Sequence, residues 1–257
     1  MLHQFSRTEL LIGKEGLEKL HRSKVAIFGI GGVGSFVAEG LVRSGVGHFV
    51  LIDDDLICLT NLNRQIHAVR KTVGKPKIGA MKARMLEIYP EADIETIQTF
   101  YLPDHADELI REDYDYIVDT VDTVTAKIDL VVQAQKRGIP IISCMGAGNK
   151  LDPTRFRVAD VYKTTMDPLA KVMRRELRQR GIDSLKVVFS DEPPIEPVVT
   201  DDNSCAKHCI CPKGTRRTCT IRHQIPGSIS FVPPVAGLIM AGEVVKDLIG
   251  YKPDDKQ

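Results

Sequence analysis

The segment Gly29-Ile30-Gly31-Gly32-Val33-Gly34 has residue types and a spacing that could handle phosphate. Glycines at these steps allow a tight turn and a close backbone approach, and a helix starting there would present free N–H groups to an anion. Asp53, nineteen residues beyond Gly34, is placed to accept hydrogen bonds from ribose hydroxyls. On its own this pattern describes a nucleotide or dinucleotide site, with an NAD(P)-dependent oxidoreductase as its ordinary host. The bland alternative is a glycine turn made only for packing.

The residues that follow argue for different chemistry. Asp55 is succeeded by Thr60-Asn61-Leu62-Asn63-Arg64-Gln65, then by Gly74-Lys75-Pro76-Lys77 and Asp119-Thr120-Val121-Asp122. Hydride transfer needs a nicotinamide pocket and little positive charge beside the phosphates. Cleaving ATP between its α and β phosphates needs cations around the triphosphate and a carboxylate for Mg²⁺. Arg64 and Lys77 can supply the cations and Asp122 the carboxylate. Each taken singly reads as an exposed charge. Their joint order after the glycine turn reads as one phosphate site, with Arg64 and Lys77 at the surface of its cleft.

A different constellation lies at residues 167–181, DPLAKVMRRELRQRG. Lys171, Arg174, Arg175 and Arg178 follow i, i+3, i+4, i+7 and share one helical face, with Leu169, Val172, Met173 and Leu177 roughly opposite. A solvated face normally mixes signs. Here the lone interior acid, Glu176, is expected toward the other side. Four aligned cations make an electrostatic footprint for a nucleic-acid backbone.

These segments need elements to hold them. KVAIF before the glycine turn and HFVLI before Asp53 read as buried strands, and residues 34–44 and 77–89 as helices. Further strands are expected at 94–97, 116–118 and 139–143, with a helix at 125–138. Alternating strands and helices imply a parallel sheet with right-handed crossovers. After Gly148 the alternation breaks. Asp167 reads as the N-cap, Pro168 as the first residue and Gly181 as the stop of the basic helix. A strand is expected at 185–189, then a long, polar, aperiodic loop over about 191–228, a strand at 230–232 and an apolar helix at 235–249. The fold class is therefore α/β, a Rossmann-like, mostly parallel sheet flanked by helices. We expect one unit over 1–257, with an ATP-binding half (1–150) and a substrate half (151–257).

The bulk numbers limit the partners. Of 257 residues, 43% are hydrophobic and 27% charged, and the net charge of +1 leaves any basic surface local. The first residues form an amphipathic pattern with Leu10, Leu11, Leu17 and Leu20 among charges, unlike a signal peptide. No run reaches the ~20 apolar residues of a membrane span, so a cytoplasmic protein is expected. Cys205, Cys209, Cys211 and Cys219 do not have the spacing of a zinc ribbon, although His208 and His223 lie nearby. Metal binding, a thiol relay and no special role stay open for them.

The ordered motifs GxGGxG, D-x-D, NLNRQ, GKPK and DTVD resemble the ubiquitin-activating-enzyme superfamily and its bacterial relatives that adenylate sulfur-carrier proteins. That resemblance implies ATP and Mg²⁺ as cofactors. It places Gly29, Gly31, Gly32, Gly34, Asp53, Asp55, Asn61, Arg64, Gln65 and Lys77 at the nucleotide, with Asp53 on ribose and Asn61, Arg64 and Lys77 on phosphates. It gives Asp122 the metal. It also implies a homodimer in which Arg7 reaches the partner's triphosphate. Gly146-Ala147-Gly148, Leu151-Asp152-Pro153-Thr154, the DPLA helix and Val188-Phe189-Ser190 near Glu192 further resemble the tRNA threonylcarbamoyladenosine dehydratases. The substrate implied is the carboxylate of that modified adenosine in tRNA, adenylated and then attacked by its own ureido nitrogen to close a hydantoin, with no cysteine relay. Alternatives are an activator of a small sulfur-carrier protein, an NAD(P)-dependent oxidoreductase and a non-catalytic nucleotide scaffold. A sulfur-relay protein docking on the cysteine-rich loop is a further partner to consider.

Overall fold

The computed structural model describes residues 2–200, 210–212 and 226–252. Helix α1 (Ser6–Arg22) leads into β1 (Lys24–Phe28), α2 (Gly34–Ser44), β2 (His48–Ile52), α3 (Lys77–Ile88), β3 (Asp93–Ile97), a short α4 (Ala106–Leu109), β4 (Tyr116–Asp119), α5 (Val124–Lys136) and β5 (Ile141–Cys144). Next come β6 (Phe156–Asp160), α6 (Pro168–Gln179), β7 (Lys186–Ser190) and α7 (Pro233–Ile249). The strands form one seven-stranded sheet in the order β3-β2-β1-β4-β5-β7-β6. All neighbours are parallel except β6 and β7. Strands from the first and the second half of the chain thus share one sheet.

Alternation along the strands builds a core on each face. Val25 and Ile27 join Val37, Leu41, Met81 and Met240 on one side, whereas Ala26 and Phe28 join Leu130, Val131, Met173 and Leu177 on the other. Burial of both faces explains why the central strands read as continuous apolar runs. Helix α7 closes the first face against α2, where a Cβ on Gly237 would fall 2.5 Å from the Val33 carbonyl oxygen.

Residues 230–232, expected as a strand, form a turn leading into α7 and pair with no strand among the described residues; Val232 alone of the three is buried, and it seats the helix entry. Strand β6, by contrast, carries no buried apolar run in its sequence: Arg157 and Val158 are exposed on an antiparallel edge strand. Within the loop at 191–228, the described residues carry no helix or strand. Cys205, Cys209, Cys219, His208 and His223 lie outside the described residues; Cys211 is half-buried.

The order of strands reverses at β1, so the connections after β1 and β4 diverge to opposite sides of the sheet. In an open α/β sheet the crevice at that point, beyond the carboxyl ends of the strands, is where ligands bind. The glycine turn leaves β1 there and the Asp119–Asp122 loop leaves β4.

Candidate nucleotide site and the basic helix

Geometry at the turn accounts for its glycines individually. Gly29 adopts φ +89°, and a Cβ on Gly34 would stand 1.9 Å from the Gly29 carbonyl oxygen and 2.5 Å from Thr120 Oγ1. No side chain fits at Gly34, because turn and loop are in contact. Gly31 differs: a Cβ there would meet nothing within 4 Å. Packing does not demand that glycine, and what it leaves is bare backbone at the head of α2, suited to close approach by a phosphate.

Asp53 holds this turn in place. Its Oδ2 accepts from the Ile30 N–H at 2.6 Å and its Oδ1 from the Asp55 N–H at 2.8 Å. Burial raises its carboxyl above the usual carboxylate range, opposed by the nearby Lys77 ammonium. Lys77 heads α3 and donates to Asp55 Oδ2 at 2.6 Å, with Asp53 Oδ1 at 3.7 Å. The carboxylates of Asp53, Asp54 and Asp55 converge within 4.8 Å of one another, so Lys77 neutralises a dense patch of negative charge. Contrary to the expectation of a cleft-surface residue, the Lys77 side chain is buried, only 7% exposed. A charge that deep is retained only when paired.

Arg64 lies against the glycine turn at Gly32. Its Cγ and Cδ would lie 3.3 Å from a Cβ on Gly32, and its Nη1 donates to Thr60 O and to Asn63 Oδ1 at 3.1 and 2.8 Å. Asn61 is buried, and its Oδ1 accepts from the Cys58 N–H at 2.9 Å, closing the short turn that presents Arg64. Gln65 is also buried, and its Oε1 has no hydrogen-bond partner among the described residues. Asp122 stands exposed at the tip of the β4–α5 loop. Asp119, three residues earlier, is fully buried against Lys127, which removes it as a solvent-facing metal ligand. Arg7 is exposed in the first turn of α1, and no hydrogen bond or ion pair joins it to the glycine turn of its own chain.

These residues suit ATP with Mg²⁺: open backbone at a helix head, an acid at the end of β2, the cations Arg64 and Lys77 near the turn, and an exposed hard carboxylate on the loop after β4.

Helix α6 lies elsewhere. Asp167 caps it, Oδ1 accepting from the Ala170 N–H at 2.9 Å and Oδ2 from the Gly146 N–H at 2.9 Å, which ties the helix to the turn after β5. Lys171, Arg174, Arg175, Arg178 and Gln179 line a shallow recess of about 340 Å³, but the four cations are not equivalent. Lys171 and Arg178 are exposed, the Arg178 guanidinium resting 5.2 Å from the Tyr162 ring centroid. Arg174 is half-buried and donates to Thr164 O at 3.0 Å and to Thr164 Oγ1. Glu176 does not stand apart from the stripe: it accepts from Arg175 at 2.8 Å and from Arg180 at 3.0 Å. A long arginine reaches back around the helix to its neighbour, which helical spacing alone does not register.

Comparison with known proteins now defines the class. The model of the ThiF family matches residues 5–257, and the chain belongs to that family. Within it, the chain is 50% identical to the tRNA threonylcarbamoyladenosine dehydratase of Bacillus subtilis, over 97% of this chain and 96% of that protein. A crystal structure of the Escherichia coli tRNA N6-threonylcarbamoyladenosine dehydratase in complex with ATP superposes with a TM-score of 0.82 at 30% identity, covering 96% of this chain and 94% of that one. Similarity to the sulfur carrier protein ThiS adenylyltransferase of Bacillus subtilis, 34% identical, spans 57% of this chain and 45% of that protein.

Proposed function

We propose that this chain uses ATP to dehydrate threonylcarbamoyladenosine in tRNA, activating the carboxylate as its acyl-adenylate and closing the hydantoin ring on the same nucleotide. The convergence of Arg64, Lys77 and the open glycine turn on one crevice carries the ATP half of this reading. Similarity along nearly the whole chain to dehydratases, against about half for a sulfur-carrier activator, carries the choice of substrate.

ATP supplies an α-phosphorus that the carboxylate oxygen attacks, expelling pyrophosphate; the ureido nitrogen then displaces AMP from the acyl carbon. Lys77 and Arg64 balance the charge that grows on the departing phosphates. Asp53 fixes the turn and offers its remaining lone pairs to ribose, and Asp122 would hold Mg²⁺, which would supply further positive charge beside the phosphates. Nucleophile and acyl group belong to one molecule, so orientation replaces a covalent relay. Cys144 agrees with that economy, its thiol pushed up to about 12 by burial. The cations of α6 contact the tRNA backbone. The active species is a homodimer in the cytoplasm, in which Arg7 of one subunit serves the partner's triphosphate; Leu10 and Leu11, 85% and 76% exposed on α1, supply apolar surface for such an interface.

The deciding experiment incubates enzyme, ATP and Mg²⁺ with tRNA carrying the open form and follows the nucleosides by mass spectrometry. Loss of one water from the modified adenosine, with one AMP and one pyrophosphate released, is the expected result. Pyrophosphate exchange that instead requires a diglycine-ended protein would transfer the assignment to a sulfur-carrier activator.

A further inference from the structure

Beneath the crevice, Lys127 and Asp119 form an ion pair at 2.8 Å in which both side chains have zero exposure. The same Asp119 Oδ2 accepts a hydrogen bond from Ser143 Oγ on β5. Its Oδ1 accepts from the Val121 N–H at 3.2 Å. Thr120, between them, donates its hydroxyl to Gly29 O at 2.6 Å and its N–H to Phe28 O at 2.9 Å. The three residues that end on Asp122 are therefore held from below by a buried charge pair and from the side by the glycine turn.

Stability is a poor reason for such a pair. Desolvating two charges costs as much as their attraction returns, and apolar residues of similar volume usually do as well or better. Lys127 sits in the first turn of α5, where the helix dipole opposes a cation. Its neighbours Ala126, Ile128, Leu130 and Val131 are buried and apolar, so the site would accept a methionine. What an apolar pair cannot provide is direction: a carboxylate fixed by an ammonium, a hydroxyl and a backbone N–H has one orientation.

We propose that Asp119, Lys127 and Ser143 are positioning residues that lock the Thr120–Asp122 loop against the glycine turn, so that the Asp122 carboxylate meets the nucleotide-bound Mg²⁺ in a single pose. This rests on the reading of Asp122 as the magnesium-side carboxylate.

The test uses the full-length protein with Asp119→Asn and Lys127→Met combined, which keeps volume and removes both charges. Hydrogen exchange read by mass spectrometry should accelerate at least tenfold at Val121 and Asp122, while amides of β4, β5 and α5 stay within threefold of wild type. The gain in ATP affinity on adding Mg²⁺ should shrink about tenfold, and AMP affinity without metal should hold within twofold. Unchanged exchange at the loop, or acceleration spread through β4, β5 and α5, overturns the proposal. Should the double variant not fold, Ser143→Ala decides by the same two readouts, with loop exchange rising at least threefold. Asp122→Asn run in parallel separates the two claims. If that variant keeps the wild-type magnesium gain, the metal assignment fails, and the loop-locking role is still decided by exchange.

Discussion

At the mouth of the sheet, Lys77 is buried, donates to Asp55 at 2.6 Å and lies 3.7 Å from Asp53. On α6, Lys171 and Arg178 stand out in solvent, one on a four-carbon stem and the other resting on a tyrosine ring. Both regions gather cations, yet the physics differs. In the crevice each charge is fixed by a partner before any ligand arrives, which is what electrostatic stabilisation of a transition state requires. On the helix the outward charges of Lys171 and Arg178 pair with no carboxylate among the described residues, attraction is spread over several residues, and salt screens it. Pre-organised charge suits bond breaking and exposed charge suits holding a long polyanion.

The hardest blow to the crevice is removal of a pre-positioned cation. Lys77→Ala and Arg64→Ala should each lower turnover roughly a hundredfold or more. They should separate in stability. Lys77→Ala strands Asp53 and Asp55 beside each other, costing on the order of 2–4 kcal/mol and lowering Tm by roughly 5–10 °C. Arg64→Ala removes a half-buried side chain anchored mainly to its own turn and should leave Tm within a few degrees. Steady-state kinetics with thermal melts checks both. Equal melting of the two variants would break the contrast between a buried and a lining cation.

For the helix, the informative pair is Lys171→Glu with Arg178→Glu, because Arg174 is tied to Thr164 and its loss would disturb packing. If both contact phosphates, tRNA binding should weaken roughly tenfold or more and the log–log salt slope should become shallower by about two. Turnover at saturating tRNA and the affinity for ATP should stay at wild-type values. Filter binding at several salt concentrations measures the slope; an unchanged slope reduces the stripe to a solvated face.

What could be read in the sequence follows the same division. The glycine turn and the alternating elements of residues 24–144 were legible because local pattern and tertiary fold agree there: the apolar runs of β1, β2, β4 and β5 are strands buried on both faces. Asp167 was legible as a cap because capping is a contact within three residues. The buried state of Lys77 was not, since its partners come from a segment over twenty residues earlier. Nor were Ser143, set beside Asp119 by the register of β4 and β5, and Lys127, which reaches Asp119 from the first turn of α5. The signal for Lys127 was a lone lysine among apolar residues in a helix's first turn, which reads more readily as an exposed charge.

The smallest expected effect concerns His67, in the same NLNRQIHA segment as Arg64. It is 4% exposed, and neither ring nitrogen has a hydrogen-bond partner among the described residues. Burial, with the Lys77 and Arg84 charges adding to it, lowers its pKa to about 3. In the unfolded chain a histidine titrates near ~6.5. Between those values the unfolded state binds a proton that the native state refuses. The stabilising contribution is therefore complete above about pH 6.5 and is lost as pH falls toward 3, by ~1.4 kcal/mol per pH unit, or roughly 3–5 °C in Tm per unit. His67→Leu removes the titrating group and an unsatisfied polar site together, and such a replacement is close to neutral at pH 7.5. Melting curves of both proteins at pH 7.5, 6.0 and 5.0 should accordingly diverge as the medium is acidified, the leucine variant losing less. The doubly reversed α6 variant, which keeps His67, should follow the wild-type acid profile. Parallel curves for wild type and His67→Leu would mean that the imidazole accepts a proton inside the fold, and that burial opposes its charge less than its 4% exposure implies.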